Sequence, residues 1–312
     1  MGEPVAMTVD VLVAGRSCMD HLAILDRWPE EDQKQSLAFR VTEGGGQGGT
    51  SACCIARLGG RVLYVGKLGS DPEGDFCKKR MESFGVNTRH IDVIKGGSTP
   101  VAYVFVTRDN GRRTILYEPN TLPRLSMADL RPALELAPLV LLLDPEVTYL
   151  SEALKTEAAD GIKIVYDCER WRKGLNSMMA VADYFIPSAG FLDEDRLGFA
   201  GLTFEEKMVR LRSRIGGELV VTRGSMGAYY FSDRRLYHLP APTVQVKDTT
   251  GAGDNFHAAF ALAISEAVDI HQAVRFAVSV ASLSCRDYGG RNAIPQRHEA
   301  TALAETLLAR VI

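Results

Sequence analysis

No apolar run in this 312-residue chain approaches the roughly 18 to 20 residues that cross a bilayer, and Val9 to Gly15 is far too short. A membrane span is therefore not expected. The N-terminus has no basic n-region, with Glu3 and Asp10 where a secretory signal would be positive. Lysine and arginine are scattered, and a formal charge of -3 leaves no basic footprint, so nucleic acid is not an expected partner. The six cysteines (Cys18, Cys53, Cys54, Cys77, Cys168, Cys285) include no CxxC pair and meet no paired histidine spacing. They read as reduced, buried thiols of a cytosolic protein, and a zinc site is not expected. No Walker A sequence occurs, which excludes a P-loop kinase by motif. There is neither an internal repeat nor a low-complexity linker.

What is present is ordinary globular material, 46% hydrophobic and 24% charged, enough to bury a full core. Short runs rich in Val, Ile, Leu and Tyr predict strands at Val9–Ala14, Arg61–Val65, Leu139–Leu143, Lys163–Tyr166, Tyr184–Ile186 and Glu218–Thr222. Helical patterns alternate with them at Gly48–Leu58, Glu73–Phe84, Met127–Glu135, Tyr149–Ala159, Phe204–Ile215, Ala252–Glu266, His271–Arg286 and His298–Arg310. The alternation predicts a mostly parallel sheet covered by helices on both faces. Two pairs, Leu22–Leu25 with Gln35–Thr42 and Ala102–Thr107 with Thr114–Tyr117, read as a small exposed antiparallel sheet, the second pair turning at Asp109-Asn110-Gly111. One domain over 1–312 is expected, with these segments, about 16–42 and 98–120, inserted as a lid.

The run Asp248-Thr249-Thr250-Gly251-Ala252-Gly253-Asp254-Asn255-Phe256 carries the most chemistry. Small residues let backbone N–H groups approach an anion, and the helix that follows adds a partial positive charge at its start. Asp254, in the first turn, is expected to stay ionised and to accept a proton from a hydroxyl. Phosphoryl transfer to an alcohol follows. A plain loop-to-helix junction with an aspartate cap is the bland alternative.

This run resembles the C-terminal motif of the ribokinase-like (PfkB) carbohydrate kinases. The resemblance extends over essentially the whole chain and implies a three-layer α/β/α fold with a β-sheet lid. It also implies ATP-dependent phosphorylation of a sugar or sugar derivative, with Asp254 as base and Gly251, Ala252 and Gly253 as anion hole. ATP and Mg2+ are the implied cofactors, and a monovalent cation is compatible with the family. In several members the lid forms a dimer interface, so a homodimer is expected.

Further motifs extend the resemblance. Glu43-Gly44-Gly45-Gly46-Gln47-Gly48-Gly49-Thr50 contains G-x-G-x-x-G, but it does not follow the first core strand, and no acidic residue ends the next. It resembles instead the family's N-terminal motif, with Gly45 and Gly46 open to sugar hydroxyls and Thr50 where an Asn is usual. Asp20 lies where the family binds sugar, and a carboxylate can accept from two vicinal hydroxyls; a solvated turn aspartate is the competing reading. Thr222, Gly224 and Gly227 match the segment beside the nucleotide phosphates. Gly289 and Asn292 lie in a stretch resembling the adenine loop, whose Gly-Gly-Arg form resembles the sulfofructose kinase branch. Lys34, Arg112 and Arg113 are lid cations able to clamp an acidic sugar, and Arg223 is expected near the phosphates. The family's N-x-x-E is absent, with Ser188-Ala189-Gly190-Phe191 in its place, so metal ligands are unassigned; Glu194, Asp195, Asp167 and Glu169 are the candidate substitutes. A nucleoside kinase of the same fold, an NAD(P)-dependent oxidoreductase and a non-catalytic sugar sensor stand as alternatives.

Overall fold

The computed structural model describes residues 8–108, 111, 113–159 and 161–312, so Arg112 and the Asp109-Asn110 part of the expected hairpin turn lie outside the described residues. In chain order the elements are β1 (Val11–Ala14), β2 (Cys18–Leu25), β3 (Phe39–Gly45), α1 (Gln47–Arg57), β4 (Val62–Gly69), α2 (Pro72–Ser83), β5 (Asn87–Ile94), β6 (Val101–Thr107) and β7 (Arg113–Tyr117). There follow α3 (Met127–Leu134), β8 (Val140–Leu143), α4 (Ser151–Glu157), β9 (Lys163–Cys168), α5 (Leu175–Val181), β10 (Tyr184–Pro187), α6 (Phe204–Arg212) and β11 (Glu218–Thr222). The chain ends through β12 (Ala228–Ser232), β13 (Arg235–Leu239), α7 (Ala252–Ser265), α8 (Ile270–Ser284), α9 (Arg297–Thr306) and β14 (Arg310–Val311).

Ten of the described strands form one sheet in the order β14-β13-β12-β11-β10-β9-β8-β1-β4-β5, parallel from β11 to β5 and antiparallel at the β12 to β14 end. Successive residues of a strand point to opposite faces. In β1, Val11 and Val13 join the core beneath α1, α7 and α8, while Leu12 and Ala14 join the core on the α3 to α6 side. Both faces are covered, which is why these strands read as continuous apolar runs. The chain order reverses at β1, flanked by β4 and β8, and ligands of open α/β sheets bind outside the strand ends at such a point. Gly15-Arg16-Ser17 leaves the sheet there and enters β2.

The lid is a four-stranded sheet, β3-β2-β6-β7. Both expected pairs are present, and β2 lies parallel to β6, which joins them into one sheet. Its own core is small, built from Leu22, Ile24, Ala102, Val104 and Val106. The register that pairs Cys18 with Gly45 and Asp20 with Glu43 brings the aspartate beside the glycine-rich turn.

Several elements differ from expectation. β5 is a mixed-polarity strand at the sheet's edge, and it lacks the apolar run by which its neighbours are legible. The β12–β13 hairpin turns through Asp233 and Arg234, both at positive φ, without the Asn-Gly or Asp-Gly that advertises such a turn. The last helix stops at Thr306, short of the expected Arg310, because Arg310 and Val311 pair with β13 instead.

Candidate active site

The turn into α7 is held by a buried carboxylate. Asp248 accepts from the Thr250 backbone N–H at 2.9 Å, the Thr250 hydroxyl at 2.7 Å and the Gly289 N–H at 2.8 Å. Gly251 then adopts φ 72°, and a β-carbon there would lie 2.7 Å from Gly290 Cα, so only glycine fits. Gly253 faces open space, with nothing within 4 Å of where a methyl would stand. Asn255 anchors the same loop by donating to the Gly290 carbonyl at 2.9 Å. Among the described residues the N–H groups of Gly253 and Asp254 meet no acceptor, as expected of a first helical turn, and such groups are free to bind an anion.

Asp254 is half-buried at this turn. Desolvation pushes its carboxyl up to about 7, and the neighbouring Asp167 carboxylate adds to the rise. This corrects the expectation of a firmly ionised side chain: in the ligand-free protein, burial outweighs the helix terminus. A carboxyl titrating near neutrality suits a general base. One turn on, His257 places Nδ1 2.7 Å from the Gly253 carbonyl and Nε2 3.1 Å from the Ile186 carbonyl, with Asp167 Oδ1 at 3.5 Å. Burial lowers its pKa, and it holds the turn against β10, in line with a packing role.

Opposite lies the glycine-rich turn. Asp20 is buried and covers Gly45 so closely that no side chain fits at 45; the Cys18 thiol donates to it at 3.0 Å. Burial raises the Asp20 pKa, with the thiol and the Arg291 guanidinium pulling the other way. Gly46, at φ 79°, is required by the Arg16 carbonyl 2.6 Å from its missing β-carbon, a tight approach of two chain segments. Thr50 is buried beside Arg291. Among the lid cations, Arg113 donates to the Thr249 hydroxyl at 2.9 Å and so reaches the α7 turn. Lys34 stands exposed between β2 and β3, with no hydrogen bond or ion pair among the described residues.

A cavity of about 440 Å³ opens on the other side of the α7 turn. Thr222, Gly224, Gly227, Ala252 and Gly253 line it, and Val244, Phe256 and Val278 give it apolar walls of the kind that hold a flat ring. It reaches from the glycines after β11 to the turn into α7. Gly289 and Asn292 do not line it. Their loop is drawn toward Asp248 and the lid, with Gly289 bonded to Asp248, Asn292 donating to the Tyr288 carbonyl at 2.8 Å, and Tyr288 packed edge-on against Phe39. Arg223 is also placed otherwise than expected, its guanidinium 4.2 Å from the Phe204 ring centroid.

Of the stretch in place of N-x-x-E, only the last residue is core, while Ser188 and Gly190 are exposed. Phe191 is fully buried against Phe185, and Ser188 bridges to Thr222. Of the candidate substitutes, Glu169 and Asp195 are exposed and Glu194 accepts weakly from the Trp171 N–H, while Asp167 is the buried carboxylate that acts on Asp254. Among the described residues no group of three or more metal-ligating side chains exists, so magnesium would be held chiefly by nucleotide phosphates and water. All six cysteines are free and buried, and no described helix is long and apolar enough to cross a membrane. Sequence reasoning passed over Asp248 and Arg291, both inside quoted motifs; what marks them is buried charge in glycine-rich loops, visible only once the loops meet.

The chain is similar along its length to known sugar kinases. Ribokinase of Bacillus subtilis is 27% identical over 303 residues, covering 94% of this chain and 99% of the relative. Deoxyribokinase of Salmonella typhimurium is 27% identical over 296 residues, covering 92% and 96%. The structure of Arabidopsis thaliana ribokinase complexed with ribose and ATP superposes with a TM-score of 0.79 at 24% identity, covering 96% of this chain and 99% of that one. Ribokinase from Giardia lamblia gives a TM-score of 0.83 at 20% identity, covering 96% and 100%. These likenesses establish the ribokinase-like fold. The pfkB family carbohydrate kinase model matches residues 9–297, so the chain belongs to the pfkB family of ATP-dependent carbohydrate kinases.

Proposed function

We propose that the protein phosphorylates a hydroxyl of a sugar, with Asp254 as general base. The observation that carries this reading is the position of the α7 turn: Gly253 lines the nucleotide cavity, and Asp254 is tied to the acceptor-side helix through Ser51. Asp20 accepts from sugar hydroxyls, and Gly45 and Thr50 meet the same ring. Asp254 takes the proton as the hydroxyl attacks the γ-phosphorus of Mg-ATP, and the unpartnered backbone N–H groups of the α7 turn, that of Gly253 among them, stabilise the charge on the transferring group, while the Ala252 N–H is engaged by the Thr249 carbonyl. The Thr222–Gly227 turn admits the phosphates. A metal bound with the nucleotide would neutralise phosphate charge, and Asp167, the buried carboxyl that acts on Asp254, is the residue we propose to reach it through water.

The lid favours a sugar over a nucleoside, because it is a complete four-stranded sheet and Arg113 joins it to the α7 turn. We read it as an insertion in one kinase domain. Its β7 strand is exposed throughout, with Leu116 58% and Tyr117 68% accessible, which supports a homodimer formed through the lid. The test is ADP release from Mg-ATP against pentoses, ketohexoses, sugar acids, sugar phosphates, sulfosugars and nucleosides. Turnover with one sugar class supports the reading; turnover confined to nucleosides contradicts it.

A further inference from the structure

Arg291 is 1% exposed. From the loop after α8 it crosses to the β3–α1 turn, where Nη2 donates to the Gly45 carbonyl at 2.7 Å and Nε donates to Thr50 Oγ1 at 3.4 Å. Nη1 is buried without a partner among the described residues. The glycine run is shaped around this group. A methyl at Gly44 would fall on Nη1 and lie 2.9 Å from Cζ, and one at Gly49 would lie 2.6 Å from Nη2. Two of the glycines are therefore the walls of a guanidinium slot.

Burying a cation costs several kcal/mol unless it is paired, so its surroundings matter. Glu43 and Asp20 are the buried carboxylates nearby. Glu43 is engaged by Arg80, whose Nε and Nη2 each donate to it at 2.6 Å. Asp20 receives only the Cys18 thiol among the described residues, which leaves it as the counter-charge for Arg291. The donation to Thr50 also occupies a lone pair of the hydroxyl and turns its proton toward another acceptor.

We propose that Arg291 is a positioning residue for the phosphate acceptor: seated in the Gly44–Gly49 slot, it fixes the Gly45 carbonyl and the Thr50 hydroxyl and balances Asp20. This rests on the reading of Asp20, Gly45 and Thr50 as the acceptor site. The Thr50 hydroxyl is short and has a single rotor, and the arginine supplies the contact that orients it. The side chain's own hydrogen bonds go to the β3–α1 turn, and it does not line the cavity beside Gly253.

The test compares the full chain with Arg291→Gln, Arg291→Lys, Gly44→Ala and the Gly44→Ala/Arg291→Gln double variant. Thermal unfolding is measured, together with kinetics using Mg-ATP and D-ribose, 2-deoxy-D-ribose or D-fructose. Gly44→Ala should lower Tm, and most of that loss should vanish in the Arg291→Gln background; an equal loss in both overturns the slot. Arg291→Gln and Arg291→Lys should raise the acceptor KM about 10-fold or more, the worth of a charged hydrogen bond, with the Mg-ATP KM within about 2-fold. An unchanged acceptor KM, or an equal rise in both constants, overturns the positioning role. If Arg291→Gln does not fold, Gly44→Ala alone should shift the acceptor KM and not the nucleotide KM, and the opposite pattern overturns the proposal. Wild-type silence with every sugar would sink the sugar-kinase reading instead, while the unfolding comparison would still decide the slot.

Discussion

The Ser51 hydroxyl, on α1, donates to the backbone carbonyl of Asp254, in the first turn of α7, at 3.1 Å. Three residues along, the Cys54 thiol reaches the Asn255 carbonyl at 3.9 Å. Two glycine-rich motifs far apart in sequence are thus the adjoining ends of one packed helix pair. The spacing between the proposed base and the proposed acceptor floor is set by helix packing, which holds groups more firmly than loops do.

Gly251 and Gly253 should differ in stability, though not in activity, when each is replaced by alanine. Gly251→Ala forces a side chain into the left-handed region, at about 1–2 kcal/mol, and against Gly290 Cα, so both Tm and turnover should fall. Gly253→Ala meets no protein atom and replaces a poor helix former, so Tm should hold or rise. Its methyl would instead fill the proposed anion site, and we expect a loss of roughly 100-fold in kcat/KM, the scale of one lost oxyanion donor. Calorimetry and steady-state kinetics check both; an unimpaired Gly253→Ala enzyme contradicts the anion site.

Asp248 should prove structural for the site. Replacing it with alanine leaves the Thr250 N–H, the Thr250 hydroxyl and the Gly289 N–H without their acceptor, and each buried orphan costs about 1–3 kcal/mol. A marked drop in Tm is expected, with Asp248→Asn milder because it keeps one acceptor oxygen. Equal Tm values for the alanine and asparagine variants would argue against this network.

The Asp254 carboxyl gives stability a pH signature. Its folded pKa, about 7, lies above the ordinary 3.8, so the native state holds a proton that the unfolded chain releases. Stability from this group is complete below the unfolded pKa and is lost as pH rises through about 7. Asp254→Asn should therefore melt above the parent at pH 8, by about 2 °C or more, and match it near pH 4. The acid limb of the parent's kcat/KM should fall near pH 7, since that ratio reports the free enzyme. Lower stability of the asparagine variant at pH 8 would contradict the assignment.

Most of the fold was legible because its strands are buried on both faces and its helices carry apolar stripes. The α7 turn was legible too, since Gly251, Gly253 and Asp254 sit together in sequence. Arg291 was not. Its partners, Gly44, Gly45, Gly49 and Thr50, lie more than 240 positions earlier, and nothing local in the glycine run shows that Gly44 and Gly49 wall a side chain. The placement of Gly289 and Asn292 outside the cavity beside Gly253 was hidden for the same reason: the contacts that hold their loop, Gly289 to Asp248 and Tyr288 to Phe39, are tertiary and have no local signal. Edge elements such as β5 and β14 depend on a neighbouring strand more than on their own residues.

The proposed chemistry turns on Asp254 as the base. Turnover of Mg-ATP with the sugar the parent uses, measured for Asp254→Asn beside the parent at pH 8, tests it most directly. The account predicts a folded variant that still binds ADP and loses at least ~100-fold in kcat, the usual size of a general-base contribution. A folded variant with near-parental kcat would contradict it.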